Sequence, residues 1–185
     1  MQLADITTDR LELSRWDPLR HGPGLTALNA RPDAVRYLND GIPYSPAESA
    51  AQSARLAAHW ERHGFGLWGA TLRATGEVIG FVGIAHPLWF PAKAHEVEVG
   101  WRLHPAFWGH GYATEGGRAA LGAASRHLDL TRIIAVIDPR NTPSIAVATR
   151  LGLTLEESLA HPQRPDAVDI YAIALTPTHF LEAAR

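Results

Sequence analysis

Between Glu96 and Leu128 the chain changes its hydrophobic period within a few residues, and that change limits what it can fold into. Glu96-Val97-Glu98-Val99-Gly100-Trp101-Arg102-Leu103 alternates polar and apolar residues as a strand does, with Glu96, Glu98 and Arg102 on one face. A turn containing Gly109 and Gly111 follows. From about Gly111 to Leu128, the residues Ala113, Gly117, Ala120, Leu121, Ala124 and Leu128 then repeat at helical spacing. A strand passing through such a turn into a helix aims backbone N–H groups and the positive helix end at one point, which makes an anion site. Gly109 and Gly111 allow positive φ and let a phosphate approach where a Cβ would intrude. Gly116 and Gly117 each cost about 1 kcal/mol relative to Ala inside a helix, so this helix is expected to pack closely on a sheet.

The flanking sequence supplies the rest of that sheet. Leu11-Glu12-Leu13 reads as a strand, after which Pro18, Gly22, Pro23 and Gly24 break the pattern ahead of short helical pieces around Thr26 to Asn29 and Pro32 to Leu38. Ser45-Pro46-Ala47-Glu48 forms a capping box for a helix running to about Arg62 and stopping at Gly64. Phe65 to Leu72 and Val78 to Ala85 read as a hairpin, the second run apolar on both faces and so central. Arg132 to Ile137 is a further strand. Thr142-Pro143 opens a helix that ends near Leu151 before Gly152, and Leu153 to Ser158 and Val168 to Leu175 complete a mixed α/β or α+β domain.

Composition narrows the chemistry. The 185 residues, 46% of them hydrophobic, suit a single domain spanning residues 1–185. With 17 Lys and Arg against 19 Asp and Glu, no overall field draws the chain to nucleic acid or an anionic membrane, although local basic patches stay open. The absence of cysteine removes disulfides, cysteine–metal sites and a thiol nucleophile. Neither a leader pattern nor an apolar run of about 18 residues is present, so the expected setting is the cytoplasm.

Three kinds of phosphate binder use a glycine turn of this sort. A Walker loop needs Gly-Lys-Ser/Thr and wider glycine spacing, and a dinucleotide fingerprint starting at Gly109 meets Thr114 where its third glycine should stand. Taken alone, the turn could equally be a mere corner. The wider segment Glu98-Val99-Gly100-Trp101-Arg102-Leu103 with Trp108-Gly109-His110-Gly111-Tyr112-Ala113-Thr114-Glu115 resembles the acetyl-CoA motif of the GNAT N-acetyltransferases, Arg/Gln-x-x-Gly-x-Gly/Ala. Trp108 stands in the Arg/Gln place, as in the RimJ/RimL-like branch, with Gly111 as the first glycine and Ala113 as the last. Asn141-Thr142-Pro143-Ser144, Val147 and Arg150-Leu151-Gly152-Leu153 are similar to a second block of that branch, with Leu153 in place of Phe.

The resemblance implies a mixed, largely antiparallel sheet of about seven strands flanked by about four helices, its fourth and fifth strands splayed into a cofactor cleft. It further implies acetyl-CoA as cosubstrate. The backbone of Trp101, Arg102 and Leu103 would meet the pantetheine arm and the thioester carbonyl. Trp108, Gly109, His110, Gly111, Tyr112, Ala113 and Thr114 would hold the pyrophosphate, and Asn141 and Ser144 would also meet the cofactor. The implied reaction is direct attack of a neutral primary amine through a tetrahedral intermediate. An α-amine near pKa 8 is already partly neutral at pH 7, whereas a lysine-type amine near about 10.4 needs a base.

Glu98, Glu96 and Glu156 are candidate bases, the alternative for each being a solvated surface acid. Glu98 ranks first because the branch often has Glu there. The superfamily's tyrosine acid falls at Ala148, so Ser144 is the substitute proton donor unless it is an ordinary first-turn residue; Asn141 has a similar alternative as a turn residue. His59 and His63 do not form a His-Glu-x-x-His metal motif, and no metal is expected. Trp89, Phe90 and Pro91 either line the acceptor pocket or cover the sheet. The expected acceptor is a protein or peptide N-terminus, against a small amine such as an antibiotic, polyamine or amino acid, or a non-catalytic acyl-CoA-binding module. A homodimer stays open.

Overall fold

The computed structural model describes residues 2–175. One eight-stranded sheet runs in the order β1-β2-β3-β4-β5-β6-β8-β7. Its strands are β1 (Ile6–Thr7), β2 (Leu11–Ser14), β3 (Leu67–Leu72), β4 (Val78–Ala85), β5 (Glu98–Leu103), β6 (Arg132–Ile137), β7 (Thr154–Ala160) and β8 (Ala167–Ala174). The helices are α1 (Pro18–Asn29), α2 (Pro32–Val35), α3 (Pro46–His63), α4 (Tyr112–His127) and α5 (Thr142–Arg150). The strand beyond the expected seven is β1, a two-residue edge too short to carry a periodic signal.

The largest departure from the sequence reading is α1, one continuous 12-residue helix through Gly22, Pro23 and Gly24. Asp17 caps it by accepting from the Leu19 N–H. Pro23 deprives the Leu19 carbonyl of its helical partner, but Leu19 is 90% exposed, where water can serve that oxygen. Tertiary packing does the rest: His21, Leu25, Leu28 and Asn29 are fully buried, and Gly24 lies against Val78. Conversely, the piece from Pro32 stops at Val35.

Local signals elsewhere act as written. Ser45 and Glu48 close the capping box of α3, and Gly64 ends that helix at φ 74°. Gly116 and Gly117 of α4 meet the core directly. A Cβ on Gly116 would sit 2.5 Å from Val82 Cγ1, and one on Gly117 would sit 2.7 Å from Leu151 Cδ1.

The sheet separates two helical layers. Gly69, Phe81 and Arg102 are cross-strand neighbours on the face covered by α1, where they meet His21, Trp16 and Asn29 respectively. Val82 points to the other face, beneath α4. Every neighbouring pair of strands is antiparallel except β5 and β6, which run parallel. Whereas β4 and β5 pair from Gly80↔Leu103 to Ala85↔Glu98, β5 and β6 share the single position Glu98↔Ile134. Beyond it the strands part, and these two strands are the fourth and fifth of the sequence reading.

Candidate active site

The parted strands open a groove of about 2440 Å³. Along β5, the His104 N–H bonds to Ile79 on the β4 side, whereas Val97 O accepts from the Ile134 N–H on the β6 side. Strand alternation therefore turns the backbone groups of the odd-numbered residues toward β6. Past Val99 there is no β6 to meet them, so the N–H and C=O of Trp101 and the N–H of Leu103 face the gap. The Leu103 carbonyl takes the Trp108 indole N–H at 2.7 Å.

At one end of the groove stands the N-terminus of α4. Gly109 and Gly111 have φ of 78° and 81°, so both need the left-handed region that glycine tolerates. Asp17, Ser45 and Asn141 cap α1, α3 and α5 with side chains, but α4 begins at Gly111 without a side-chain cap. Its first N–H groups are left for a ligand, and a pyrophosphate suits them. Trp108, Gly109, His110, Gly111, Tyr112, Ala113 and Thr114 all line this end.

Two residues that the sequence reading did not single out brace this turn. Glu115 accepts from Thr8 Oγ1 at 2.6 Å, from the Arg10 backbone N–H at 2.9 Å and from Arg10 Nε at 2.6 Å, while Arg10 Nη1 donates to His110 O at 2.8 Å. Burial alone would raise the Glu115 pKa, but these bonds outweigh it and leave the carboxyl below its ordinary range. The Arg10 guanidinium also covers the Tyr112 ring at 4.6 Å. More than a hundred residues separate the partners, so no local spacing announces them.

Of the three candidate carboxylates, only Glu98 lines the groove. Burial pushes its carboxyl up to about 8, opposed in part by a hydrogen bond from the Trp89 side chain. Among the described residues it has no cationic partner. Glu96 precedes β5 instead of sharing its face, and its carboxylate reaches Arg132 Nε at 3.3 Å. Glu156 sits on β7, held by two Arg132 nitrogens at 2.9 Å each. Arg132 thus gathers both acids away from the groove.

Asn141 and Ser144 line the groove from α5, and Asn141 Oδ1 accepts the Ser144 N–H at 3.2 Å. That bond leaves the Asn141 amide N–H₂ available to a ligand. Ala148 is fully buried and offers no hydroxyl. Trp89 and Phe90 divide the two roles weighed for them. Trp89 lines the groove beside Glu98, whereas Phe90, 3% exposed, packs with Ile134, Val168 and Ile170.

The His59 ring is committed to the fold: Nδ1 bonds Phe65 O at 2.9 Å, and Nε2 accepts the His86 N–H at 3.0 Å. Those bonds fix one neutral tautomer, and desolvation lowers its pKa to about 4. Among the described residues no group of three His, Asp or Glu side chains is placed to hold a metal ion. No helix among them is long and apolar enough to cross a membrane.

Residues 10–154 match the acetyltransferase (GNAT) domain family. The chain is 28% identical over 171 residues to the uncharacterized protein YkkB of Bacillus subtilis, covering 88% of this chain and 92% of that one. An acetyltransferase from Agrobacterium tumefaciens superposes with a TM-score of 0.77 at 31% identity, covering 94% of this chain and 95% of the other. RimL, a ribosomal L7/L12 α-N-protein acetyltransferase solved with coenzyme A, superposes at 0.76 with 21% identity, covering 94% and 99%. The uncapped helix, the glycine turn and the parted strands accommodate a nucleotide-linked thioester: this chain belongs to the GNAT acetyltransferase family and uses acetyl-CoA as cosubstrate to acetylate an amine.

Proposed function

We propose that the protein acetylates the α-amine at the N-terminus of a peptide or protein, in the cytoplasm. The observation that carries this reading is the place of Glu98 on the groove wall without a cationic partner among the described residues, where burial pushes its carboxyl up to about 8. Proton transfer is most efficient between groups of similar pKa, and an α-amine lies near about 8, well below the roughly 10.4 of a lysine-type amine. A polyamine or aminoglycoside would call for several ionised acids, yet of the groove's carboxylates Asp33, Glu115 and Asp138 are each engaged by an arginine, which leaves Asp9 beside Glu98. The name of RimL, whose fold the chain shares, supports the same choice.

In this proposal Glu98 takes the proton from the acceptor ammonium, directly or through water, and the freed lone pair attacks the thioester carbon. Acetyl-CoA supplies the activated acyl group. The Trp101 N–H, turned into the gap, donates to the carbonyl oxygen as charge builds there. Asn141 orients the pantetheine arm, and Ser144 relays to the departing sulfur the proton that the attacking nitrogen sheds from the tetrahedral intermediate. Glu156 has no part, being held by Arg132 outside the groove.

The test is acetyl-CoA-dependent thiol release across N-terminal peptides, polyamines, aminoglycosides and amino acids, with a no-acceptor control. Release with peptides that is lost in Glu98→Gln supports the reading. Release confined to polyamines or aminoglycosides overturns it.

A further inference from the structure

Arg102 lies on the same face of β5 as Glu98, and its surroundings are unusual for a cation. Nη1 donates to Asn29 Oδ1 at 2.7 Å, and the guanidinium hydrogen-bonds the Tyr44 side chain. It also lies over the rings of Phe81 and Tyr44, at 5.3 and 5.8 Å. All these partners are neutral. Arg10, Arg20, Arg31, Arg132 and Arg140 each have a carboxylate, but among the described residues none pairs with Arg102. Desolvation is strong enough here to lower even a guanidinium pKa. Arg102 is half-buried and lines the groove, so a cation desolvated in this way, without a carboxylate among the described residues, stands where an anion entering the groove can supply the counter-charge.

The lining of the groove carries more positive charge. Gln52, Arg55, Leu56, His59 and Arg62 recur at helical spacing along α3 and front the groove, as does Arg36 just after α2. Arg36, Arg55 and Arg62 are exposed and have no carboxylate partner among the described residues. Asp33, three residues before Arg36, is engaged with Arg31 at 3.4 Å, and Glu61, beside Arg62, is not among the groove-lining residues. The overall charge of −2 therefore hides a locally positive acceptor side.

We propose that the acceptor carries an anionic side chain close behind its amine, so that the substrate is an acidic N-terminal peptide whose carboxylate pairs with Arg102 while its amine meets Glu98. The inference rests on the peptide reading above. Four residues of strand separate Glu98 from Arg102, about 13 Å at some 3.3 Å per residue. An extended peptide covers that span within about its first four residues, so the acid stands at position two, three or four. Arg36, Arg55 and Arg62 draw the acidic chain to the groove and repel polyamines and other polycations.

The experiment compares kcat/KM for peptides that share one N-terminal residue and carry Asp, Asn or Lys at position two, three or four. Wild type, Arg102→Gln and the double variant Arg36→Gln/Arg55→Gln are measured at low salt and at about 0.5 M salt. At one of these positions the Asp peptide is expected to exceed its Asn counterpart by about tenfold, and its Lys counterpart by more. That ratio should collapse toward unity in Arg102→Gln, and it should shrink in the double variant and at high salt. The double variant alters exposed side chains, so it reports even if Arg102→Gln fails to fold.

Equal turnover of Asp, Asn and Lys peptides overturns the inference and leaves the peptide reading standing. An acidic preference that persists undiminished in the variants also overturns it. Failure to acetylate any peptide, with small amines acetylated instead, removes the peptide reading and this inference together.

Discussion

The indole N–H of Trp108 donates to the carbonyl of Leu103 at 2.7 Å, joining the end of β5 to the turn that leads into α4. The two ends of the cosubstrate site, the parted strand and the uncapped helix, are therefore fixed relative to each other by one side chain. This gives a physical role to the tryptophan that occupies the motif's Arg/Gln place. Trp108→Phe keeps an aromatic ring but removes the donor, and it strands a carbonyl on a residue that is 5% exposed. The expected cost is about 1–2 kcal/mol, read as roughly a five- to thirtyfold rise in the acetyl-CoA Kd by calorimetry. An unchanged Kd would show that the bond does not govern the turn.

Glu98→Gln should preserve acetyl-CoA binding and slow transfer by about 10²-fold or more. In the wild type, kcat/KM should rise with pH through about 8 as the carboxyl loses its proton, and in the variant only the part set by the acceptor amine's own titration near about 8 should remain. Stability moves in the opposite sense. Between about 4.5 and 8 the unfolded carboxyl ionises while the folded one keeps its proton, so the folded state is progressively disfavoured as pH rises and the effect levels off above 8. The amide of the variant does not titrate and escapes that loss. It should therefore gain on the wild type by a few kcal/mol at pH 8–9 in urea titrations, with no such gain near pH 4.

Gly111 begins α4 at φ 81°, where a β-branched residue is strained whatever the space around it. Gly111→Val should abolish acetyl-CoA binding. A thermal shift with acetyl-CoA equal to the wild type's would refute the placement of the pyrophosphate.

Gly116→Ala tests close packing against helix propensity. Alanine favours a helix by about 1 kcal/mol, yet its Cβ would lie 2.5 Å from Val82 Cγ1. Overpacking of this kind typically costs about 1–3 kcal/mol, so a net loss in the urea midpoint is expected. A gain would mean that Val82 can move aside.

Sequence revealed most where the determining contacts were local. The Ser45–Glu48 box, the left-handed Gly64 and the small residues of α4 each act within a few positions of where they are written. It misled where tertiary packing overrode propensity, as in α1, which keeps Pro23 because His21, Leu25, Leu28 and Asn29 are buried. Within the site, alternation alone could not tell Glu96 from Glu98. The difference is made by Arg132, which draws Glu96 and Glu156 together from segments far apart in sequence. The Arg10–Glu115 brace and the neutral partners of Arg102 were hidden for the same reason, since the decisive neighbours lie far along the chain.

The single paired position between β5 and β6 has a consequence beyond the reaction. Strands β1–β5 form one hydrogen-bonded block and β6–β8 another, and their shared seam runs along the groove. Local opening follows such seams, because separating the blocks breaks few ladder bonds. A molecule laid along the seam touches both blocks and is lost when they part, so its binding energy adds to their joint cooperativity. Acetyl-CoA bound along this seam, as proposed, would thereby also fasten the sheet, and each turnover that releases it would return the protein to its more loosely coupled form.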